Sequence, residues 1–256
     1  MQIYVIDDRE ELGRKAADVI EEGLAADTKA GRSPILGLAT GSSPEPLYAE
    51  LRKRHAAGKL DFSELEAFAL DQYVGIDPDH PESYRNVLLR EVVNNDATGL
   101  KAENMYTLNE SATDLEAECA RYDAEILGRG GVSIQILGIG SDGHIAFNEP
   151  YGSLRSHTHI GALTRQTRED NSRFFDNDID KVPTHCMTQG LATIMSAKQI
   201  LLIATGKKKG PAIAALAAGP VTSACPASVL QFHEKVTLLI DQPAAQKLPR
   251  DILMHL

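Results

Sequence analysis

Short apolar runs recur along the chain, each bounded by glycine or small polar residues. Gln2–Ile6, Ile35–Ala39, Leu65–Leu70, the run from Ile134, Gln199–Ala204 and Val236–Ile240 read as buried strands. Asn104–Leu108 and Ile160–Leu163 are shorter strand-like pieces. Between them the apolar spacing changes to that of a helix face. Leu12, Ala16, Val19, Ile20 and Gly23 share one face, and Asp7 or Asp8, each with a glutamate three residues on, caps its start. Leu47 and Leu51 mark a second helix, and Tyr84–Val93 a third with Val87, Leu88 and Val92 inward. Ala112–Leu127 follows with Leu115, Cys119 and Tyr122 inward, then a short helix over Met187–Ala197 and another through Ile213, Leu216 and Ala217. Strands alternating with helices predict a mainly parallel sheet with helices on both faces. No repeat, low-complexity stretch or linker divides the chain, so one domain over 1–256 is expected.

Composition narrows the functional classes. The net charge is -10 and the one basic cluster is Lys207-Lys208-Lys209, which argues against nucleic acid or an anionic membrane as partner. Cys119, Cys186 and Cys225 are odd in number and far apart, which suits a reducing cytoplasm better than a disulfide framework. The amino terminus lacks a signal-peptide pattern, and no apolar run approaches the roughly 20 residues of a membrane span. A cytoplasmic location is expected; monomer and homo-oligomer both stay open. No nicotinamide or flavin fingerprint appears, nor any zinc-like spacing, so neither cofactor nor metal is expected.

The chemistry gathers where strands end. After the Ile134 strand, Asp142, His144, Asn148 and Glu149 crowd into eight positions, an acid/base constellation rather than a buried structural segment. Asp71 follows the Leu65–Leu70 strand. Carboxyl ends of parallel strands are where open α/β sheets bind ligands, although a turn cap would also use an aspartate. Thr40-Gly41-Ser42-Ser43-Pro44 joins a strand to a helix start, a layout that holds phosphate through converging N–H groups. It lacks the lysine of a Walker loop. The bland reading has Ser43 as cap and Pro44 as first helical residue. Lys207–Lys209 stand before a helix, where cations oppose the macrodipole unless an anion joins them. Arg168 and Arg173 offer bidentate phosphate contacts, or are solvated charges of a surface helix. Together these tools suit proton transfer on a sugar phosphate.

The segments LGLATGSSP, FALDQYVGID, HPESY, LGIGSDGHIAFNEP, NSRFFDND and ATGKKKG resemble, in order across nearly the whole chain, those of the glucosamine-6-phosphate deaminase family. The GSDGHIAFNEP part is the most specific and separates that family from the related 6-phosphogluconolactonases. The resemblance implies a Rossmann-like α/β fold and conversion of glucosamine 6-phosphate and water to fructose 6-phosphate and ammonia. It also implies that Asp71 shuttles a proton between sugar carbons 2 and 1. His144 would open the ring with Asp142 and Glu149 as its carboxylate partners. Ser43, Arg173 and Lys209 would bind the phosphate, with Thr40, Gly41 and Ser42 lining the turn.

Two departures from the family pattern matter. Gln72 stands where glutamate usually follows the catalytic aspartate, so an altered pH profile is expected. His159 and Gly161 stand where regulated members carry the arginine and lysine of an allosteric amino-sugar phosphate site, so no such activation is expected. The alternatives on the same scaffold are a 6-phosphogluconolactonase-like hydrolase and a galactosamine-6-phosphate isomerase. A non-catalytic sugar-phosphate sensor is the alternative from another class.

Overall fold

A computed structural model describes residues 1–249 and 252. Among the described residues there are ten strands: β1 Gln2–Val5, β2 Ile35–Leu38, β3 Glu66–Ala69, β4 Asp71–Tyr73, β5 Met105–Tyr106, β6 Ile134–Leu137, β7 His159–Ala162, β8 His185–Thr188, β9 Ile200–Ala204 and β10 Val236–Ile240. The main helices are α1 Arg9–Lys29, α2 Glu45–Ala56, α3 Tyr84–Leu88, α4 Leu115–Gly128, α5 Arg165–Asn171, α6 Leu191–Met195, α7 Gly210–Ala218 and α8 Gln242–Ala245.

Seven strands form the central sheet in the order β1-β10-β9-β6-β2-β3-β5, every neighbouring pair parallel. Its middle strands are buried on both faces, as the continuous Ile200–Ala204 and Val236–Ile240 runs require. Helices cover the sheet. Asp8 caps α1 through the Glu11 N–H, and Leu12, Ala16 and Ile20 sit within the core. From β2 the chain steps to β3 and β5, then returns to place β6 on the other side of β2. The crevice beyond the carboxyl ends of β2 and β6 is therefore the switch point, where such sheets bind ligands.

The central sheet is the mainly parallel one that the sequence predicts, and beside it stands a second, smaller antiparallel sheet, β4-β8-β7. Asp71 thus closes the stretch after β3 and also opens β4. The helix expected over Met187–Ala197 is shorter: His185–Thr188 is drawn into β8 by pairing with both β4 and β7, and helix resumes only at Leu191. Tertiary pairing overrides a weak local preference there. The helix from Tyr84 is regular to Leu88 and then widens to a π-type turn over Leu89–Val93, where β-branched Val92 and Val93 disfavour regular winding. Beneath the second sheet lies a small apolar cluster of Tyr73, Phe147, Leu163 and Phe175.

Candidate active site

A cavity of about 710 Å³ opens at the switch point. Three strand-end turns and the α5 segment form its walls. The first turn, Thr40–Ser43, joins β2 to α2, with Gly41 at φ +85°. That left-handed value favours glycine. Pro44, not Ser43, is the residue at the helix cap, and no side chain caps α2. The Ser43 hydroxyl is therefore not engaged in capping, as the bland reading of this turn required. The second turn, Thr205–Lys209, joins β9 to α7. Lys209 is half-buried there and forms no ion pair among the described residues. Burial pulls its ammonium below the ordinary value, and Arg173 and Lys208 add to that while Asp170 opposes it. An anion placed between them would relieve the strain. Arg173 follows α5, donates to the Ser42 hydroxyl at 3.2 Å and stacks over the Phe174 ring at 4.6 Å. Arg168 turns elsewhere, donating to the carbonyls of Ile179 (2.7 Å) and Val182 (3.3 Å). Of the two arginines, Arg173 alone lines the cavity.

The turn after β6 carries the acid/base cluster. His144 Nδ1 stands 2.8 Å from Asp142 Oδ1 and 3.6 Å from Glu149 Oε2. Asp142 is thus the nearer partner of Nδ1, while Glu149 Oε2 is buried, has no hydrogen-bond partner among the described residues and faces the ring. The other Glu149 oxygen is saturated: Thr164 donates its N–H at 3.1 Å and its hydroxyl at 3.2 Å, and Thr167 its hydroxyl at 2.6 Å. These donors fix the carboxylate with its free oxygen turned to the imidazole. Burial raises the Asp142 carboxyl, but the His144 imidazole beside it outweighs this and holds it at about 2. The ring fits because Gly140 has no side chain; a Cβ there would collide with His144 and Asp142. Ala146 sits at φ 53°, a strained value for alanine, and also lines the cavity. Asn148 is structural: its amide donates to the carbonyls of Ile145 (3.1 Å) and Gln189 (2.8 Å).

Asp71 occupies the wall between these turns. It is 7% exposed, and no side-chain hydrogen bond or ion pair engages it among the described residues. Burial pushes its carboxyl up to about 7, with only partial compensation from His144. A carboxyl poised near neutrality in a cavity is fitted to take up and return a proton. Neighbouring Gln72 is fully buried; its amide donates to Ser83 Oγ at 3.0 Å and accepts from the N–H groups of Tyr73 (2.9 Å) and Tyr84 (3.1 Å). It ties β4 to the start of α3.

Of the ten residues to which the resemblance gives roles, Thr40, Gly41, Ser42, Ser43, Asp71, His144, Arg173 and Lys209 line this cavity, and Asp142 and Glu149 stand against His144. Asp142, His144 and Glu149 also bring ligand atoms within 4.8 Å of one another, so they could hold a cation. Sequence reasoning gave no role to Thr164 and Thr167, which fix Glu149, or to Tyr84 and Asn171, which line the cavity. The HPESY and NSRFF segments contain the last two, and their polar groups next to named site residues were the available signal.

The fold is that of an α/β protein whose switch-point crevice is lined by hydroxyl, arginine and lysine side chains together with Asp71 and His144. The chain belongs to the family described as glucosamine-6-phosphate isomerases/6-phosphogluconolactonase, which matches residues 7–239. It is 49% identical over 248 residues to the glucosamine-6-phosphate deaminase of Pseudarthrobacter chlorophenolicus, covering 97% of this chain and 93% of that one. The enzyme of the same name from Mycolicibacterium smegmatis is 48% identical over the same shares. Among solved structures, a monomeric glucosamine-6-phosphate deaminase superposes with a TM-score of 0.90 at 38% identity, over 96% of this chain and all of that one. The 6-phosphogluconolactonase from Trypanosoma brucei reaches a TM-score of 0.76 at 22% identity over 97% of this chain and 98% of that one, a likeness of fold.

Proposed function

We propose that this chain, as one catalytic domain, converts glucosamine 6-phosphate and water to fructose 6-phosphate and ammonia. The observation that carries the reading is Asp71: a buried carboxyl that has no side-chain hydrogen bond or ion pair among the described residues and lines the same cavity as a phosphate-fitting turn. Relatives at 44–49% identity bearing the deaminase name support the same substrate. The free cysteines suit the cytoplasm.

Ser42, Ser43, Arg173 and Lys209 hold the phosphate, with Thr40 and Gly41 shaping the turn. That anchor fixes carbons 1 and 2 of the sugar near Asp71 and His144, and much of the rate comes from this positioning. His144 opens the ring by taking the proton of the 1-hydroxyl and giving one to the ring oxygen. Asp142 and Glu149 orient the imidazole and balance its charge when it is protonated. Asp71 then removes the proton from carbon 2 of the open aldehyde, leaving the anion of an enolamine, and returns it to carbon 1, while a proton passes from the amino group to the 1-oxygen. The product is an imine at carbon 2. Water adds to it, and ammonia leaves to give the 2-ketose.

A lactonase would share the phosphate grip but has no use for a carbon-acid base, and a sensor would need neither Asp71 nor His144. Ammonia release from glucosamine 6-phosphate, measured beside release from the galacto epimer and beside hydrolysis of 6-phosphogluconolactone, tests the reading. Turnover of glucosamine 6-phosphate at least about a hundredfold above both others is expected. Faster lactone hydrolysis would replace the deaminase reading.

A further inference from the structure

A third set of polar groups reaches the cavity beside the phosphate turn and the acid/base cluster. Its hub is Tyr73, two residues after Asp71 on β4 and therefore on the same side of that strand. Tyr73 is 1% exposed. Its hydroxyl accepts from Asn171 Nδ2 at 2.9 Å and from the Tyr84 hydroxyl at 3.0 Å. Its ring packs on Tyr84 (4.7 Å between centroids), Phe147 (5.8 Å) and Phe175 (5.7 Å). These contacts reach three parts of the site. Phe147 lies between His144 and Glu149. Phe175 and Asn171 flank Arg173. Tyr84 and Asn171 themselves line the cavity.

The apolar cluster around Tyr73 would be filled as well by phenylalanine. A hydroxyl buried there is accounted for by the two donors it receives, because a buried polar group without partners is costly. The α5 segment is tied down at two levels. Thr167 on Glu149 holds its early turn, and Asn171 on Tyr73 holds its end, two residues before Arg173.

We propose that the Tyr73 hydroxyl is a positioning group for phosphate capture: by anchoring Asn171 it holds Arg173 over the Thr40–Ser43 turn and ties that grip to the strand that bears Asp71. The proposal rests on the reading of Arg173 as a phosphate ligand. Tyr73→Phe keeps the ring and deletes the acceptor. KM for glucosamine 6-phosphate should rise roughly five- to tenfold, the size of one lost neutral hydrogen bond. kcat should stay within about twofold and the pH profile should keep its shape, since no proton-moving group is removed. Asn171→Ala, which removes the donor from the helix end, should reproduce this. A double-mutant cycle distinguishes positioning from general loosening. Arg173→Ala raises KM by itself, and Tyr73→Phe added to it should raise KM no further. The proposal is overturned if Arg173→Ala raises KM while Tyr73→Phe and Asn171→Ala do not, or if the effects of Tyr73→Phe and Arg173→Ala multiply. An unchanged KM in Arg173→Ala alone would overturn the phosphate assignment of Arg173, and the proposal with it.

Discussion

Replacing Asp71 by asparagine should remove activity and stabilise the fold, because the property that makes the carboxyl useful is one the folded protein works against. Burial lifts Asp71 from its ordinary 3.8 to about 7. The folded chain then keeps this proton at pH values where the unfolded chain has already released it. A carboxyl raised in this way stabilises the folded state most below the lower value, loses that contribution as pH rises between the two, and leaves a constant penalty above the upper one. At about 1.4 kcal/mol for each pH unit of separation, the full penalty is about 4 kcal/mol. Asparagine is close in shape to the neutral acid and does not titrate. The advantage of Asp71→Asn over wild type should therefore grow by about 2 kcal/mol between about pH 5.5 and about pH 8, and then level off. Groups common to both proteins cancel in that difference. Urea unfolding of the two proteins at both pH values, compared through midpoints and slopes, measures it. An advantage equal at both pH values would show that Asp71 has an ordinary carboxyl, and the argument for it as a base poised near neutrality would fail.

The same carboxyl should set the acid limb of kcat/KM for ammonia release, which should fall about tenfold per pH unit below about pH 7; a profile flat down to about pH 5 would contradict it. Gly140→Ala should cost at least about a hundredfold in kcat with circular dichroism unchanged, because its methyl would drive the His144 ring off its position. Gln72→Glu should fold, since the two N–H donors and the Ser83 hydroxyl can serve a carboxylate. It should also move the acid limb upward, as a like charge next to Asp71 favours the protonated acid; an unmoved limb would show the charge at this position to be without effect.

Much of this arrangement is legible in the sequence, for identifiable reasons. The middle strands of the central sheet are buried on both faces, so they stand out as continuous apolar runs, and their ends point to the switch point. The small-residue turn after β2 and the crowding of Asp142, His144 and Glu149 after β6 therefore fall on the cavity by topology. The second sheet is not legible. β4, β7 and β8 have three or four residues each, and their pairings join distant parts of the chain. Met187 belongs to a strand only because β4 and β7 flank it. Ser43 looks like a helix cap by its residue type, and only the backbone shows Pro44 at that position. Arg168 and Arg173 are equivalent in sequence, yet one is used up on the carbonyls of Ile179 and Val182. The donors around Glu149 and the Asn171–Tyr73–Tyr84 chain arise from the packing of α5 against the sheets, which no local pattern records.

The most direct test of the account is ammonia release from glucosamine 6-phosphate by wild type, Asp71→Asn and His144→Gln, with substrate carrying either hydrogen or deuterium at carbon 2. The account predicts that wild type releases ammonia and is slowed by the deuterium, that Asp71→Asn remains folded and binds the sugar phosphate while losing at least about a thousandfold in kcat, and that His144→Gln is impaired at ring opening. Full ammonia release by folded Asp71→Asn would contradict it, because the proton at carbon 2 would then have to leave by another base.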